Sequence, residues 1–220
     1  MINRKYLAEI IGTFALVFCG TGAIIIDEQT HGAVTHLGVA STFGLIVLAM
    51  IYTFGEISGA HFNPAVTIGF AFARRFDRKD VLPYILSQLA GAFIASAVLR
   101  LLFPDSINLG ATFPAGSQLQ SFILEFILTY LLMLVIIHVS QGSRETGVLA
   151  GIAIGATCGL EAMFGGLVSG ASMNPARSLS PAVLSGNVHS IWIYLLAPVA
   201  GAIAATSTWS IMNNKIAIGE

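Results

Sequence analysis

Charge is the scarcest property of this sequence. Only 10% of its 220 residues are Asp, Glu, Lys or Arg, and the mean hydropathy is +0.83. A water-soluble domain of this size cannot bury so much apolar surface, so the composition excludes a soluble globular protein and predicts a protein whose solvent is the lipid bilayer. The net charge of −1 gives no basis for a nucleic-acid partner.

Cysteine is nearly absent, and so are the motifs of catalysis. Cys19 and Cys158 lie in apolar segments without the spacing of a metal site, and we interpret both as packing residues. The sequence also lacks a phosphate-binding loop, a dinucleotide-binding glycine pattern and a nucleophile elbow. We therefore expect no cofactor, no metal and no enzymatic activity.

Long apolar runs are what the chain has instead. A helix needs about 20 apolar residues to cross a bilayer, and six segments approach or reach that length. Glycine is frequent in them, and small residues let helices pack closely in lipid. The runs predict transmembrane helices at 6–26, 37–54, 82–103, 121–140, 147–164 and 190–212.

The basic residues predict the orientation. If the spans alternate in direction, eight of the ten Lys and Arg residues fall on one side. The positive-inside rule places that side, with both termini, in the cytoplasm, so we expect a multi-pass protein of the cell (inner or plasma) membrane. The eight are Arg4, Lys5, Arg74, Arg75, Arg78, Lys79, Arg144 and Lys215.

The tripeptide Asn-Pro-Ala occurs twice, 111 residues apart, and Ser-Gly-Ala precedes each copy. Asn favours the helix N-cap and Pro the first helical position, so each copy predicts the start of a helix of about ten residues. Two ordinary helix starts are the simpler alternative. Within apolar sequence, however, irregular backbone is tolerated only where it lines a cavity or is buried, so paired breaks predict a pore. The copies are Asn63, Pro64, Ala65 and Asn174, Pro175, Ala176.

The repetition extends along the whole chain. Glu9 opens the first span as Glu125 opens the fourth, and Gly91 in the third corresponds to Gly201 in the sixth. Each half has three spans, an odd number, so the halves enter the membrane in opposite orientations. We predict an all-α membrane protein with six transmembrane helices and two re-entrant half-helices whose N-termini meet. It would form one channel domain, 1–220, of inverted repeats at about 1–105 and 117–215.

These features resemble the aquaporin, or major intrinsic protein, family over essentially the whole chain. The two boxes, Arg177 directly after the second box and the Glu opening each half carry the resemblance. The texts SGAHFNPAVT at 58–67 and SGASMNPARSLS at 169–180 most resemble the nodulin-like plant subfamily and its bacterial relatives. The resemblance implies a homotetramer in which each chain conducts water and small uncharged solutes and excludes protons and ions.

The resemblance also implies a set of site residues. Asn63 and Asn174 would direct their amides at the lumen, and two facing helix starts would repel cations but not neutral molecules. Four positions counted from the boxes would form a narrow filter, and two loops would offer backbone carbonyls. The filter residues are Phe43, Ala162, Ala171 and Arg177, and the carbonyls belong to Gly59, Ala60, His61, Gly170, Ala171 and Ser172.

Two filter alanines bear on the permeant solute. Ala162 and Ala171 depart from the strict water-channel pattern, which has His at the first position and a small polar residue or Cys near the second. Their methyl groups leave room for glycerol, urea or neutral metalloid hydroxides. Ser178, where glycerol facilitators have Asp, makes the pattern mixed. A strictly water-selective channel is therefore an alternative.

Three acids at membrane depth leave another class open. Glu9 and Glu125 would either form a proton relay or accept hydrogen bonds from the re-entrant loops, and their symmetric placement favours loop support. Glu161 has no counterpart in the first half, and we expect it to be solvated near the outer end of span five or bonded to Arg177 or its loop. These acids make a proton-coupled secondary transporter the competing class. A receptor or adhesion module without transport is a third class.

Two basic residues also have alternative roles. Arg177 would bond to neighbouring carbonyls or to the permeant molecule, or else pair with a carboxylate away from the lumen. His61 would either narrow the pore or serve in packing.

Overall fold

A computed structural model of the protein describes residues 3–140 and 144–214, except for the side chains of 144–148 and 214. Lys215, one of the eight cations used for the orientation, lies outside the described residues. The described ranges contain helices and no strand, which confirms the predicted all-α fold. The helices are α1 (Arg4–Gln29), α2 (Thr35–Ser58), α3 (Pro64–Phe72), α4 (Arg78–Leu102), α5 (Gln118–Val139), α6 (Arg144–Ser169), α7 (Pro175–Ser185) and α8 (Ile191–Asn214).

The six long helices, α1, α2, α4, α5, α6 and α8, are long and apolar enough to cross a membrane. Each corresponds to a predicted span. α1, α2 and α6 contain theirs, whereas α4, α5 and α8 each miss one terminal residue of the predicted span, and most helices run several residues beyond the prediction at the other end. α4, for example, begins at Arg78 because the Asp77 side chain accepts a hydrogen bond from the Lys79 backbone N–H at 3.1 Å. A capping bond therefore starts this helix before its apolar run begins at 82.

The short helices α3 and α7 begin at the two Asn-Pro pairs. The Asn63 side chain accepts a hydrogen bond from the N–H of Ala65, and Asn174 accepts bonds from the N–H groups of Ala176 and Arg177. Proline occupies the first turn of both helices, where no N–H is needed. The helices are 9 and 11 residues long, close to the predicted length.

The N-termini of α3 and α7 abut. The Asn63 amide nitrogen donates to the Met173 carbonyl at 2.7 Å, and the Asn174 amide nitrogen donates to the Phe62 carbonyl at 2.9 Å. Each asparagine therefore caps its own half-helix and also binds the loop that precedes the other one. This pair of crossed bonds joins the two halves of the chain at their centre.

The long helices repeat one packing pattern. α1 packs against α4 as α5 packs against α8, and α2 packs against α6 between the two halves. The α2–α6 contact brings Gly44 against Gly155, and a Cβ atom on Gly44 would lie 2.7 Å from the Gly155 carbonyl oxygen. Only glycine lets the two backbones approach this closely.

Replacing Gly44 by Ala should therefore weaken the α2–α6 contact. The added methyl group overlaps backbone that cannot move aside, and we expect a loss of about 1–3 kcal/mol, seen as a lower melting temperature of the purified protein. Gly55→Ala is the matched control, because a Cβ on Gly55 in the same helix meets no atom within 4 Å. Equal melting temperatures of the two variants would contradict the prediction.

Candidate functional site

A cavity of about 930 Å³ extends from the C-terminal end of α2 at Glu56 to Arg177. Side chains of α2, α5 and α6 form its walls, among them Leu132, Ile136 and Cys158. Both capping asparagines line it, as do all four predicted filter residues. Five of the six residues predicted to supply carbonyls also line it. Gly170 is the exception.

The loops before α3 and α7 follow matching irregular paths. Gly59 and Gly170 have φ angles of +82° and +88°, and the alanines that follow them, Ala60 and Ala171, have +51° and +40°. Residues with a Cβ rarely adopt this left-handed region, so the same unfavourable conformation at equivalent positions marks a constrained backbone. The path interrupts helical hydrogen bonding and leaves backbone groups without helical partners.

Glu9 supplies partners for the first loop. Its buried carboxylate accepts hydrogen bonds from the Ser58 hydroxyl at 2.7 Å and from the backbone N–H groups of His61 and Phe62 at 3.0 and 2.7 Å. The Gln88 side chain donates a fourth bond at 2.8 Å. These contacts are the ones that a loop-supporting role requires.

Glu125 holds the second loop in the same way. It accepts hydrogen bonds from the Ser169 hydroxyl at 2.7 Å and from the N–H groups of Ser172 and Met173 at 2.9 and 2.8 Å. Both carboxylates are fully buried, and neither lines the cavity.

Two tyrosines that the sequence analysis did not assign hold the start of each loop. The Tyr84 hydroxyl donates to the Ser58 carbonyl at 2.8 Å, and the Tyr194 hydroxyl donates to the Ser169 carbonyl at 2.6 Å. The tyrosines are 110 residues apart, so a full alignment of the repeats would have found them. The same alignment would not have found Gln88, because the equivalent residue in the second half is Pro198.

Arg177 lies in the wall of the cavity and is 2% exposed. Its Nη1 donates to the Gly110 carbonyl at 3.0 Å, and its guanidinium carbon lies 5.1 Å from the centre of the Phe43 ring. Among the described residues, the two ion pairs are Lys5–Asp80 and Lys79–Asp77. The alternative that Arg177 pairs with a carboxylate is therefore wrong.

Ser178, at the position where glycerol facilitators have Asp, belongs to a network of hydroxyl groups behind the cavity wall. Ser178 is fully buried, and its hydroxyl contacts those of Thr112 at 2.8 Å and Ser172 at 2.5 Å. Ser172 also donates to the Asn174 carbonyl at 2.9 Å. A serine here stabilises the second loop and does not line the cavity.

His61 lies at the cavity and also packs against aromatic rings. It lines the cavity, and its ring stacks on Phe70 with centroids 4.9 Å apart. Phe76 and Tyr84 also contact the ring, and Nδ1 lies 3.1 Å from the Thr67 hydroxyl. The side chain is therefore fixed in place.

The prediction that Glu161 is solvated was wrong. The residue is 7% exposed, and neither carboxylate oxygen has a hydrogen-bond partner among the described residues. The predicted bonds to Arg177 or its loop are therefore wrong as well. The sequence analysis ended the fifth span at 164, whereas α6 continues to Ser169, which places Glu161 two turns before the helix end.

A cavity that passes two facing half-helices within a bundle of six membrane-length helices defines a membrane channel, and comparison with known proteins gives the family. The family described as Major intrinsic protein matches residues 1–209. Aquaporin NIP1-1 of Oryza sativa subsp. japonica is 49% identical over 210 residues, covering 95% of this chain and 74% of that protein. Nodulin-26 of Glycine max is 48% identical, with coverages of 95% and 78%.

A solved structure has the same fold. The aquaglyceroporin from Plasmodium falciparum superposes with a TM-score of 0.81 at 28% identity, covering 94% of each chain. The chain belongs to the major intrinsic protein family, and it is a multi-pass membrane channel for water and small neutral solutes.

Replacing Glu125 by Ala should destabilise the second loop. The change leaves two backbone N–H groups and one hydroxyl buried without an acceptor, and we expect a loss of about 3 kcal/mol or more. The melting temperature of the purified protein measures the effect. Asp105→Asn is the control, because that carboxylate is exposed. An unchanged melting temperature for Glu125→Ala would show that the loop does not depend on this acid.

Proposed function

We propose that each chain forms a passive pore for water and for small uncharged solutes such as glycerol, urea or neutral metalloid hydroxides, and that the pore excludes protons and ions. The observation that carries the proposal is the cavity that continues past both capping asparagines to Arg177. Relatives named as aquaporins and as an aquaglyceroporin support a solute range wider than water.

The facing N-termini of α3 and α7, capped by Asn63 and Asn174, supply the basis for excluding cations. Each half-helix start carries about half a positive charge, so two facing starts make the centre of the pore positive. A cation or a hydronium ion meets a barrier there, whereas a neutral molecule does not. Each Asn amide has two N–H donors and uses one of them on the opposite loop, so the second can bind a passing oxygen.

The filter combines one polar and several apolar surfaces. Arg177 offers donors for hydroxyl or carbonyl oxygens, and its Nε has no partner among the described residues. Phe43, Ala162 and Ala171 offer apolar surface and, at the two alanines, space. A solute with hydroxyl groups on one side and carbon on the other matches this arrangement.

The competing transporter class needs membrane acids that exchange protons with the pathway. Glu9 and Glu125 are both absent from the described lining of the cavity. Glu9 and Glu125 use their oxygens on the loops. We therefore assign those two acids to loop support and the chain to passive conduction, with no chemical conversion of the solute.

We further propose that the chain is one channel domain of two inverted repeats and that it assembles as a homotetramer with one pore per chain in the bilayer. The clustered basic residues between α3 and α4 support cytoplasmic termini in the cell (inner or plasma) membrane. Water and small neutral solutes are the partners of the pore. Nucleic acid is not a partner.

Proteoliposomes test the proposal directly. Stopped-flow light scattering gives the water permeability from shrinkage in a non-permeant osmolyte and the glycerol permeability from reswelling in glycerol. We expect both rates to exceed those of protein-free vesicles and to be independent of an imposed proton gradient. Accumulation of solute driven by the proton gradient would favour the transporter, and rates equal to bare lipid would favour a protein without transport.

Filling the space at Ala162 should lower the permeability to glycerol more than the permeability to water. Ala162→Leu narrows the cavity, and we expect glycerol permeability to fall by about fivefold or more while water permeability falls much less. Ala156→Leu adds the same volume on the exposed side of α6 and should change neither. Equal losses of water and glycerol permeability in Ala162→Leu would mean that this position does not select solutes.

Removing the charge of Arg177 should weaken ion exclusion. Arg177→Val introduces the residue at the repeat-equivalent position, Val66, and we expect proton or cation leak to rise by about tenfold, because a fixed positive charge leaves the constriction. Arg177→Lys keeps the charge and should leak less than Arg177→Val. A pH-sensitive dye in the vesicle lumen reports the leak. An unchanged leak in Arg177→Val would exclude this role.

A further inference from the structure

Glu161 is a buried acid that nothing in the preceding account uses. Its side chain is 7% exposed, and among the described residues neither of its oxygens has a hydrogen-bond partner. The described ion pairs do not include it. Buried polar groups in native proteins nearly always have partners, because burial without one is costly. An acid retained in this state calls for a partner from outside the described residues.

The position of Glu161 on α6 points to the pore as the source of that partner. Cys158 and Ala162, on the same side of the helix, line the cavity, and Glu161 lies about 60° around the helix axis from Cys158. Gly155 packs against α2 on the other side of Cys158. Gly165, one turn after Glu161, packs against Leu128 of α5, which places Glu161 beside α5, whose Leu132 also lines the cavity.

The first half of the chain shows that this position does not require an acid for packing. Met50 stands at the repeat-equivalent position, 111 residues earlier, and it packs against the hydrophobic core. Met and Glu side chains have similar length, so an apolar residue can occupy the equivalent position in α2. The acid at position 161 is thus a feature of the second half alone.

We propose that Glu161 is a specificity-determining residue that hydrogen-bonds the hydroxyl groups of polyhydroxylated neutral solutes in the cavity beside Cys158 and Ala162. A change of side-chain rotamer brings the carboxyl group from the α5–α6 contact to the lumen, where the methyl group of Ala162 leaves space. This inference rests on the proposed function and names one side chain that sets its solute range.

The chemistry of the group suits a polyol. The carboxyl group accepts hydrogen bonds from hydroxyl groups in either protonation state, and its protonated form also donates one. Arg177 can only donate, and the loop carbonyls can only accept. A solute that carries several hydroxyl groups can bind these different groups at once. Water has a single oxygen and gains less, so the acid affects the ratio of glycerol to water permeability.

The test compares the wild type with Glu161→Met and Glu161→Gln in proteoliposomes, with water and glycerol permeabilities measured on the same vesicles. Glu161→Met keeps the length of the side chain and removes its hydrogen bonding, and we expect the ratio of glycerol to water permeability to fall by about fivefold. Glu161→Gln keeps a donor and an acceptor, and we expect its ratio to stay within about twofold of the wild type. Glu28→Met, at an exposed acid outside the cavity, is the control for loss of a carboxylate.

The outcomes separate the inference from the proposed function. A wild type that conducts neither water nor glycerol would end the proposed function. A wild type that conducts both, with an unchanged ratio in Glu161→Met, would overturn only the inference. Equal losses of water and glycerol permeability in both variants would show a structural role and overturn it as well. If Glu161→Met is not recovered as folded protein, Glu161→Ala makes the same comparison.

Discussion

Backbone that leaves a helix inside a membrane needs hydrogen-bond partners from the protein, because lipid offers none. The two loops before α3 and α7 meet this requirement with a buried glutamate each, Glu9 and Glu125, and with the side-chain amides of two asparagines. With these bonds in place, both half-helices can end near the centre of the bundle. The cavity follows, since it runs along the loops that the bonds hold.

The sequence predicted the fold well because its signals are local. Apolar runs gave the six spans, and Asn-Pro pairs gave both half-helices. Helix ends were less predictable, because capping bonds and packing set them, as at Asp77. The bond from Arg177 to the Gly110 carbonyl could not be predicted, because the two residues lie 67 positions apart. The burial of Glu161 could not be predicted, because it depends on how the helices pack.

Residues that are the same at equivalent positions of the two halves hold the loops before α3 and α7. Ser58 and Ser169 bond to equivalent glutamates, Tyr84 and Tyr194 bond to equivalent carbonyls, and the left-handed glycines recur. Gln88 breaks this agreement, because it gives Glu9 a side-chain amide donor that Glu125 does not have among the described residues. The second loop has the network of Ser172, Ser178 and Thr112 instead. Each half therefore adds different polar groups to the same set of bonds that hold its loop.

Two pairs of residues that differ between the halves line the cavity. Val66 and Ile51 line the cavity, and so do their repeat equivalents Arg177 and Ala162, which belong to the proposed filter. An inverted repeat would by itself give a symmetric pore, equally wide and equally apolar on both sides of its centre. The exchange of Val for Arg and of Ile for Ala gives one side a charge and extra space. We therefore expect selectivity to come from a few departures from the symmetry that builds the pore.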